Sequence, residues 1–273
     1  MKGFDSVYSN ERRDFAYEMK FLLPEPRGEE VLGWARQRLC PDPHAKESSH
    51  GTYQVNSLYF DTPNLEVYHR VGSYGRCKYR VRRYGGEKTI FLERKLKTKG
   101  QVGKRRTRIP DEELPFLSHD PPVRAWPGYW FHRRLLARQL TARCQISYKR
   151  VALVGISSEG TMRLTMDRDI LCYPTSDLSV VDAAAWMPIL PNQWILELKF
   201  PTTMPALFKG LIQELGLSPQ PVSKYRVSVH AFGCDAAPET IPSVGGNRHV
   251  AELELTLDQR ASASPSVDSG RRP

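Results

Sequence analysis

The sequence predicts an α+β protein built around an antiparallel β-barrel with flanking helices and a polar, positively charged interior. Three observations lead there. Charged residues recur at every second position: Lys78, Arg80 and Arg82 in CKYRVRRY, Glu93, Lys95 and Lys97 in FLERKLK, and Glu197 and Lys199 in WILELKF. A β-strand sends alternate side chains to opposite faces, so each segment reads as a strand with one charged and one largely apolar face. The chain order is mainly strands, with helices inserted near its beginning, middle and end. Finally, central strands must place such charge in water, in ion pairs or against a ligand. A closed barrel with a polar lining meets that demand while its outer face packs on helices.

The elements follow in order. Residues 15–23 read as a first strand, with Glu18 and Lys20 on one face and Tyr17, Met19 and Phe21 on the other. Pro24 and Pro26 stop it, residues 29–39 form an amphipathic helix, and Pro41 and Pro43 end that helix. Residues 53–60 are a strand, followed by the turn signal Asp61-Thr62-Pro63-Asn64 and a short helical turn over 65–70. Residues 76–84 and 88–97 flank Gly85-Gly86 as a hairpin. Gly100 begins another turn, after which 101–109 continue the sheet. A Pro-rich stretch over 115–127 leads to a basic helix over 130–142. Strands follow at 144–154, 162–170 and 194–200, the first two joined by a turn over 155–160. Pro205 opens a helix to Leu215, with Gly216 at its C-cap, and residues 223–232 form one more. After Gly233 only residues 250–257 keep a period, and the Ser, Ala, Pro and Arg-rich tail is expected to be disordered.

The 273 residues, 40% of them hydrophobic, suffice for one large domain or two small ones. The formal net charge of +10 suits nucleic acid, an anionic membrane or a polyanionic metabolite, and does not choose among them. Five cysteines with no CxxC spacing argue against a disulfide framework or structural zinc, and fit reduced thiols in the cytoplasm. The N-terminus lacks the apolar run of a signal peptide, and no stretch is long and apolar enough to span a bilayer.

Same-face residues on a strand lie roughly 6.6 Å apart, so Lys78, Arg80 and Arg82 can follow a string of phosphates. Lys95, Arg150, Arg163, Lys199 and Lys224 can supply the other walls, Arg as a bidentate fork and Lys as a point charge. For any single residue a solvated basic face is the plain alternative. Glu18, Glu93 and Glu197 each stand two residues before a lysine. They either pair with the basic rows or hold a divalent ion against phosphate oxygens, and Glu197 is the preferred metal ligand. Asp167 faces the cavity with Arg163 and Thr165, or orients a neighbouring Arg. There is no GxSxG, Walker A or kinase catalytic loop, and no histidine pair with metal-ligand spacing. His69 and His132 could bind phosphate, but are better read as surface histidines. Phosphoryl transfer by alignment and charge neutralisation needs no covalent protein intermediate.

These rows resemble the VTC domain, the catalytic domain of vacuolar transporter chaperone polyphosphate polymerases and its bacterial relatives. The resemblance runs through YEMKF, VNSLYFDTP, KYRVRRYG, FLERKLK, SYKRVA, RLTMDR, LELKF and SKYRVS, in that order, over about residues 12–232. It implies a triphosphate tunnel fold, an antiparallel barrel related to the CYTH group of triphosphatases and class IV adenylate cyclases. It implies an ATP-dependent polyphosphate polymerase using a divalent metal, manganese by preference or else magnesium. ATP and polyphosphate are the expected partners, and nucleic acid is not. The family's tunnel residues fall on Lys78, Arg80, Lys95, Arg150, Lys199 and Lys224, with Arg82, Arg163 and Lys20 as added substrate contacts. Its metal glutamate falls on Glu197, with Glu18, Glu93 and Asp167 as further acidic contacts. Tyr148 shares the strand face of Arg150, and touches a phosphate or holds that arginine. The domain reading is 1–235 for the tunnel and 236–273 for a C-terminal extension. Two alternatives stay open: a CYTH-like inorganic or nucleoside triphosphatase, and a non-catalytic polyphosphate-binding module. Larger assemblies of this family add transmembrane modules, so a membrane-complex partner also stays open.

Overall fold

The computed structural model describes residues 15–43, 51–180 and 185–233. In chain order it contains β1 (Ala16–Pro24), α1 (Glu25–Arg36), β2 (Cys40–Pro41), β3 (Thr52–Asp61), β4 (Cys77–Tyr84), β5 (Thr89–Thr98) and β6 (Gln101–Pro110). After a 3-10 segment follow α2 (Tyr129–Ala137), β7 (Thr141–Ser157), β8 (Gly160–Pro174), β9 (Met187–Pro188), β10 (Gln193–Phe200), α3 (Ala206–Glu214) and α4 (Lys224–Ala231). Strands run in the order β7-β3-β4-β5-β6-β1-β10-β8, and β8 pairs back onto β7. The result is an eight-stranded antiparallel barrel with flanking helices, the triphosphate tunnel architecture. Closure removes the unpaired edges that an open sheet would expose. The two-residue strands β2 and β9 pair onto β7 and β8.

The register decides what the barrel encloses. Arg80 stands opposite Glu93 on β5 and Tyr59 on β3, and Glu93 stands opposite Arg106 on β6. Across β1 and β10, Glu18 faces Lys199 and Lys20 faces Glu197, which in turn faces Thr165 on β8. Arg150 on β7 faces Asp167 on β8. The charged rows of separate strands therefore share one side of the closed sheet, its interior.

The opposite faces are largely apolar and carry the helices. Phe21, Leu164, Leu196 and Leu198 pack with Val31, Leu32 and Ala35 of α1 and Phe208 and Leu211 of α3. A second cluster joins Leu58, Val81, Ile90, Leu92 and Ile146 to Phe131 and Leu135 of α2 and Val227 and Val229 of α4. Burying each such side chain contributes about 1.5–3 kcal/mol. On α1, a Cβ at Gly28 would lie 2.6 Å from the indole of Trp194 on β10. A glycine there lets the helix sit directly on that ring.

Several boundaries differ from expectation for physical reasons. The first helix begins at Glu25 because Pro26 occupies its opening turn, where the missing N–H costs nothing. The helix expected over 130–142 stops at Ala137. Gln139 takes a left-handed conformation (φ 51°) and the chain turns into β7. The expected helical turn at 65–70 is a single turn, closed by the His69 N–H on the Leu65 carbonyl at 2.8 Å and flanked by Leu65 and Arg70 at φ 56° and 60°. The β7–β8 turn is tighter than expected, since β7 continues to Ser157 and β8 starts at Gly160. The C-terminal extension, including the period over 250–257, lies outside the described residues. Among the described residues no helix is long and apolar enough to cross a membrane. Among the described residues, no disulfide joins Cys40, Cys77, Cys144 or Cys172.

Candidate functional site

A cavity of about 820 Å³ occupies the barrel. Lys78, Arg80 and Arg82 of β4 line it, as do Lys95 of β5, Tyr148 and Arg150 of β7, Glu18 and Lys20 of β1, Glu197 of β10 and Lys224 of α4. Alternation places the strand residues there. Lys224 arrives differently: Ser223 caps α4 by accepting from the Arg226 N–H, which sets the first helical residue at the cavity wall.

The cations are held in place by buried acids and hydroxyls. Arg80 donates from Nε to Glu93 at 2.8 Å, approaches it again through Nη2 at 2.7 Å, and donates from Nη1 to the Tyr59 hydroxyl at 3.1 Å. Arg82 donates to Ser57 Oγ and to the Tyr148 hydroxyl, each at 3.0 Å. Arg150 makes a bidentate pair with Asp167 at 2.6 and 2.7 Å, and Lys224 Nζ reaches the same carboxylate at 2.5 Å. Lys95 pairs with Glu18 at 2.6 Å. Glu93, Asp167 and Glu18 thus act as counter-charges that fix the direction of the cations. Tyr148 takes the role of a hydroxyl support for Arg82.

Glu197 stands apart from these three acids. Its side chain is 19% exposed, against 9% for Glu18 and 1% for Glu93 and Asp167, and its nearest cation is Lys20 at 3.3 Å. Burial alone would raise its pKa. Lys95, Lys20, Arg150 and Lys224 outweigh burial and hold it well below the usual carboxylate range. Glu197 is therefore an ionised oxygen donor facing the cavity. Among the described residues no three His, Cys, Asp or Glu side chains gather as a metal site. Hard divalent cations commonly bind through one or two carboxylates and complete their shell with phosphate oxygens and water. Glu197, with Glu18 beside it in the lining, fits that mode.

Two expected residues lie away from this lining. Arg163 pairs with Asp42 at 2.8 Å and reaches the Tyr53 hydroxyl at 3.4 Å, while Lys199 stands opposite it in the β10–β8 ladder. Lys199 also acts on Lys104 of β6, which lies 3.9 Å from Glu93. Lys104 and Arg106, on the side of β6 that Glu93 faces, were not expected near the site. Their alternation in VGKRRTR carried the same period-two signal as the rows that were read. Tyr59, Arg70 and Arg76 were also missed, and so was the strap from Pro219 to Val222. The strap is tied down by Gln220 N–H donating to the Lys20 carbonyl at 2.8 Å, and by Lys20 Nζ donating to the Val222 carbonyl at 3.2 Å. Lys78 donates to Ser223 Oγ at its end. Arg70, Arg76 and the strap come from outside the strands, where no periodicity announces which way a side chain points, whereas Tyr59 sits on β3 opposite Arg80.

The VTC domain model matches residues 15–232. The chain belongs to the VTC domain family. The match takes in the whole barrel and its four helices, and it ends just after α4. Among solved structures, the chain is similar to a proposed adenylate cyclase from Bacillus halodurans, with 11% identity, TM-score 0.47, and 77% of this chain and 94% of that chain covered. It is also similar to a proposed adenylyl cyclase from Hippeastrum described as having a dominant triphosphatase activity. That match has 17% identity, TM-score 0.45, and coverage of 79% and 95%. A third is the PH1819 protein from Pyrococcus horikoshii, at 10% identity, TM-score 0.41, and coverage of 78% and 99%. Comparison with curated protein sequences returned no relative. VTC-domain membership and the tunnel architecture support a phosphoryl-transfer or triphosphatase-like class of activity.

Proposed function

We propose that this VTC domain is an ATP-dependent polyphosphate polymerase. One observation carries the reading: Lys78, Arg80, Arg82, Lys95, Arg150 and Lys224 converge from separate walls on one enclosed space. A linear polyanion is the ligand class that matches cations spaced along several walls of one cavity. The terminal oxygen of the bound polyphosphate would attack the γ-phosphorus of ATP in line. A new P–O bond would form, the bond to the β-phosphate oxygen would break, and ADP would leave. The attacking phosphate oxygen carries its own negative charge, so no protein nucleophile is needed. The task of the side chains is positioning and charge neutralisation. Arg80 and Arg150, braced by Glu93 and Asp167, would offer fixed donors to oxygens whose charge grows in the transition state. Lys20, Lys78, Lys95 and Lys224 would hold the flanking phosphates. A manganese or magnesium ion held by Glu197 would supply Lewis-acid stabilisation of the bridging oxygens.

Purified protein incubated with labelled ATP and manganese should yield acid-labile chains that lengthen with time on a sizing gel. Release of orthophosphate without chains would replace the polymerase with a triphosphatase. Tight polyphosphate binding without metal-dependent turnover would leave a binding module. Arg80→Ala should lower kcat/KM for ATP by about 100-fold, with the thermal midpoint much less affected, and unchanged kinetics would take Arg80 out of the site.

A further inference from the structure

On the outside of the barrel, Arg94 of β5 stands opposite Arg105 of β6. The next pair along the ladder, Lys95 and Lys104, points inward, so the outer arginines lie level with the cavity lining. The Arg105 guanidinium lies 4.1 Å over the Trp130 ring of α2. Arg134 and Arg138 follow Trp130 at four-residue spacing along the same side of α2, and Phe131 of that helix packs 5.9 Å from Tyr79, the β4 neighbour of Arg94. Arg138 lies 4.0 Å over the Tyr74 ring and donates to Ser73 Oγ at 3.0 Å. Two residues past Tyr74, Arg76 lines the cavity. A basic path therefore leaves the cavity mouth and continues over the outer wall.

This cluster differs from the interior in its charge balance. Inside, Arg80, Arg150, Lys95 and Lys224 each have a carboxylate within 2.8 Å. Outside, Arg94, Arg134 and Arg138 have no carboxylate at ion-pair distance among the described residues, and the buried Nε of Arg94 and of Arg138 has no hydrogen-bond partner there. Arg94, Arg134 and Arg138 therefore bring uncompensated positive charge to the outer wall, and an external anion is its natural complement. Guanidiniums laid over Trp130 and Tyr74 are pre-oriented forks for phosphate oxygens. The same two rings are covered by arginine, which leaves them poor platforms for stacking bases.

We propose that Arg94, Arg134 and Arg138 form a second, external polyanion site that holds the part of a polyphosphate chain lying outside the barrel. The assignment rests on the polyphosphate reading of the cavity and extends it to chain length. A tripolyphosphate would occupy the cavity alone. A long chain would engage both surfaces, and the linked contacts would raise its apparent affinity.

The test compares the full-length protein with an Arg94→Gln, Arg134→Gln, Arg138→Gln variant. Binding of tripolyphosphate and of long-chain polyphosphate is measured by calorimetry across a salt series. The variant should bind the long chain about tenfold more weakly, with the slope of log K against log salt reduced by about two, while its tripolyphosphate affinity stays unchanged. Retained tripolyphosphate binding also reports an intact barrel. The matching Arg→Lys variant should recover most of the salt slope, and failure to recover it would remove charge as the cause. Unchanged long-chain affinity in the Gln variant, or equal losses for both ligands, overturns the proposal. So does a loss confined to single-stranded RNA or anionic vesicles. If the native protein makes no polymer yet shows the length-dependent loss, the polymerase reading falls and the external site stands. If it makes polymer and the Gln variant binds long chains normally, the external site falls alone.

Discussion

Glu197 and Lys224 are the residues whose environments say most about chemistry. Replacing Glu197 by Gln keeps shape and removes the ionised oxygen donor. Metal-dependent turnover should fall by about 100-fold or more, with the circular dichroism spectrum unchanged, and a metal titration of initial rate is the measurement. Lys224 titrates unusually. Burial lowers its pKa first, the Asp167 carboxylate raises it, Arg150 and Lys20 lower it again, and the result is about 8. Lys104 is also brought down to about 8, by burial ahead of the opposing pull of Glu93. An anion binds best to the protonated forms. Above pH 8 it must recruit protons, so affinity for tripolyphosphate should fall by up to about tenfold per pH unit for each group. The sign for stability is opposite. The unfolded lysines keep their protons up to about 10.5, so the empty protein should gain stability from these two groups as pH rises from 8 to 10.5. Lys224→Arg, which stays protonated, should flatten the binding curve, and calorimetry across that range decides it.

At the scale of elements, Asp61 connects the end of β3 to both the mouth loop and α4. Fully buried, it accepts from the N–H groups of Thr62, Val67 and Tyr68 at 2.7, 2.8 and 2.9 Å and from the Tyr225 hydroxyl at 2.6 Å. The sequence marks Asp61-Thr62-Pro63-Asn64 as a turn, and the structure adds that this one carboxylate shapes the loop carrying Arg70 and Arg76. Asp61→Ala would leave several buried donors unsatisfied, each costing about 1–3 kcal/mol. A loss of at least about 3 kcal/mol in urea unfolding is expected. Tyr225→Phe keeps the ring stacked 5.4 Å from Tyr59 and removes only the bond to the Asp61 carboxylate, so it should cost less, about 1.5–3 kcal/mol. The β4–β5 hairpin was legible from its glycine turn and alternation. The 62–76 loop and the 219–222 strap were not: the Asp61 carboxylate folds the first through backbone N–H groups without any periodic pattern, and bonds to Lys20, distant in sequence, fix the second.

For the whole molecule, the ion pairs that organise the lining also couple folding to pH. Burial raises and the neighbouring cations lower the pKa of Glu93, Glu197 and Asp167, and the cations win in each, bringing Asp167 to about 2. A carboxylate with a depressed folded pKa contributes stability above its unfolded value and loses it as pH falls towards the folded one. Stability should therefore drop as pH falls through about 4, with Asp167 alone accounting for on the order of 2 kcal/mol by about pH 2. Urea midpoints measured from about pH 6 to about pH 3 would show this decline, and a flat profile would mean that the buried pairs contribute little net stability.

What the sequence determined alone is the alternation: which residues of β1, β4, β5, β7 and β10 share a face, and hence that one face of the sheet is charged and the other apolar. Period-two patterning is a local property, and a strand cannot rotate half of its side chains to the other side. What only the tertiary structure decided is how those faces meet. Pairing β8 back onto β7 turns separate charged rows into one enclosed lining. It also sorts the acids, leaving Glu18, Glu93 and Asp167 close against cations and Glu197 open to the cavity. Partners such as Arg150 and Asp167, or Glu18 and Lys95, are distant in sequence. Cross-strand register and barrel closure bring them together, and no local pattern encodes either.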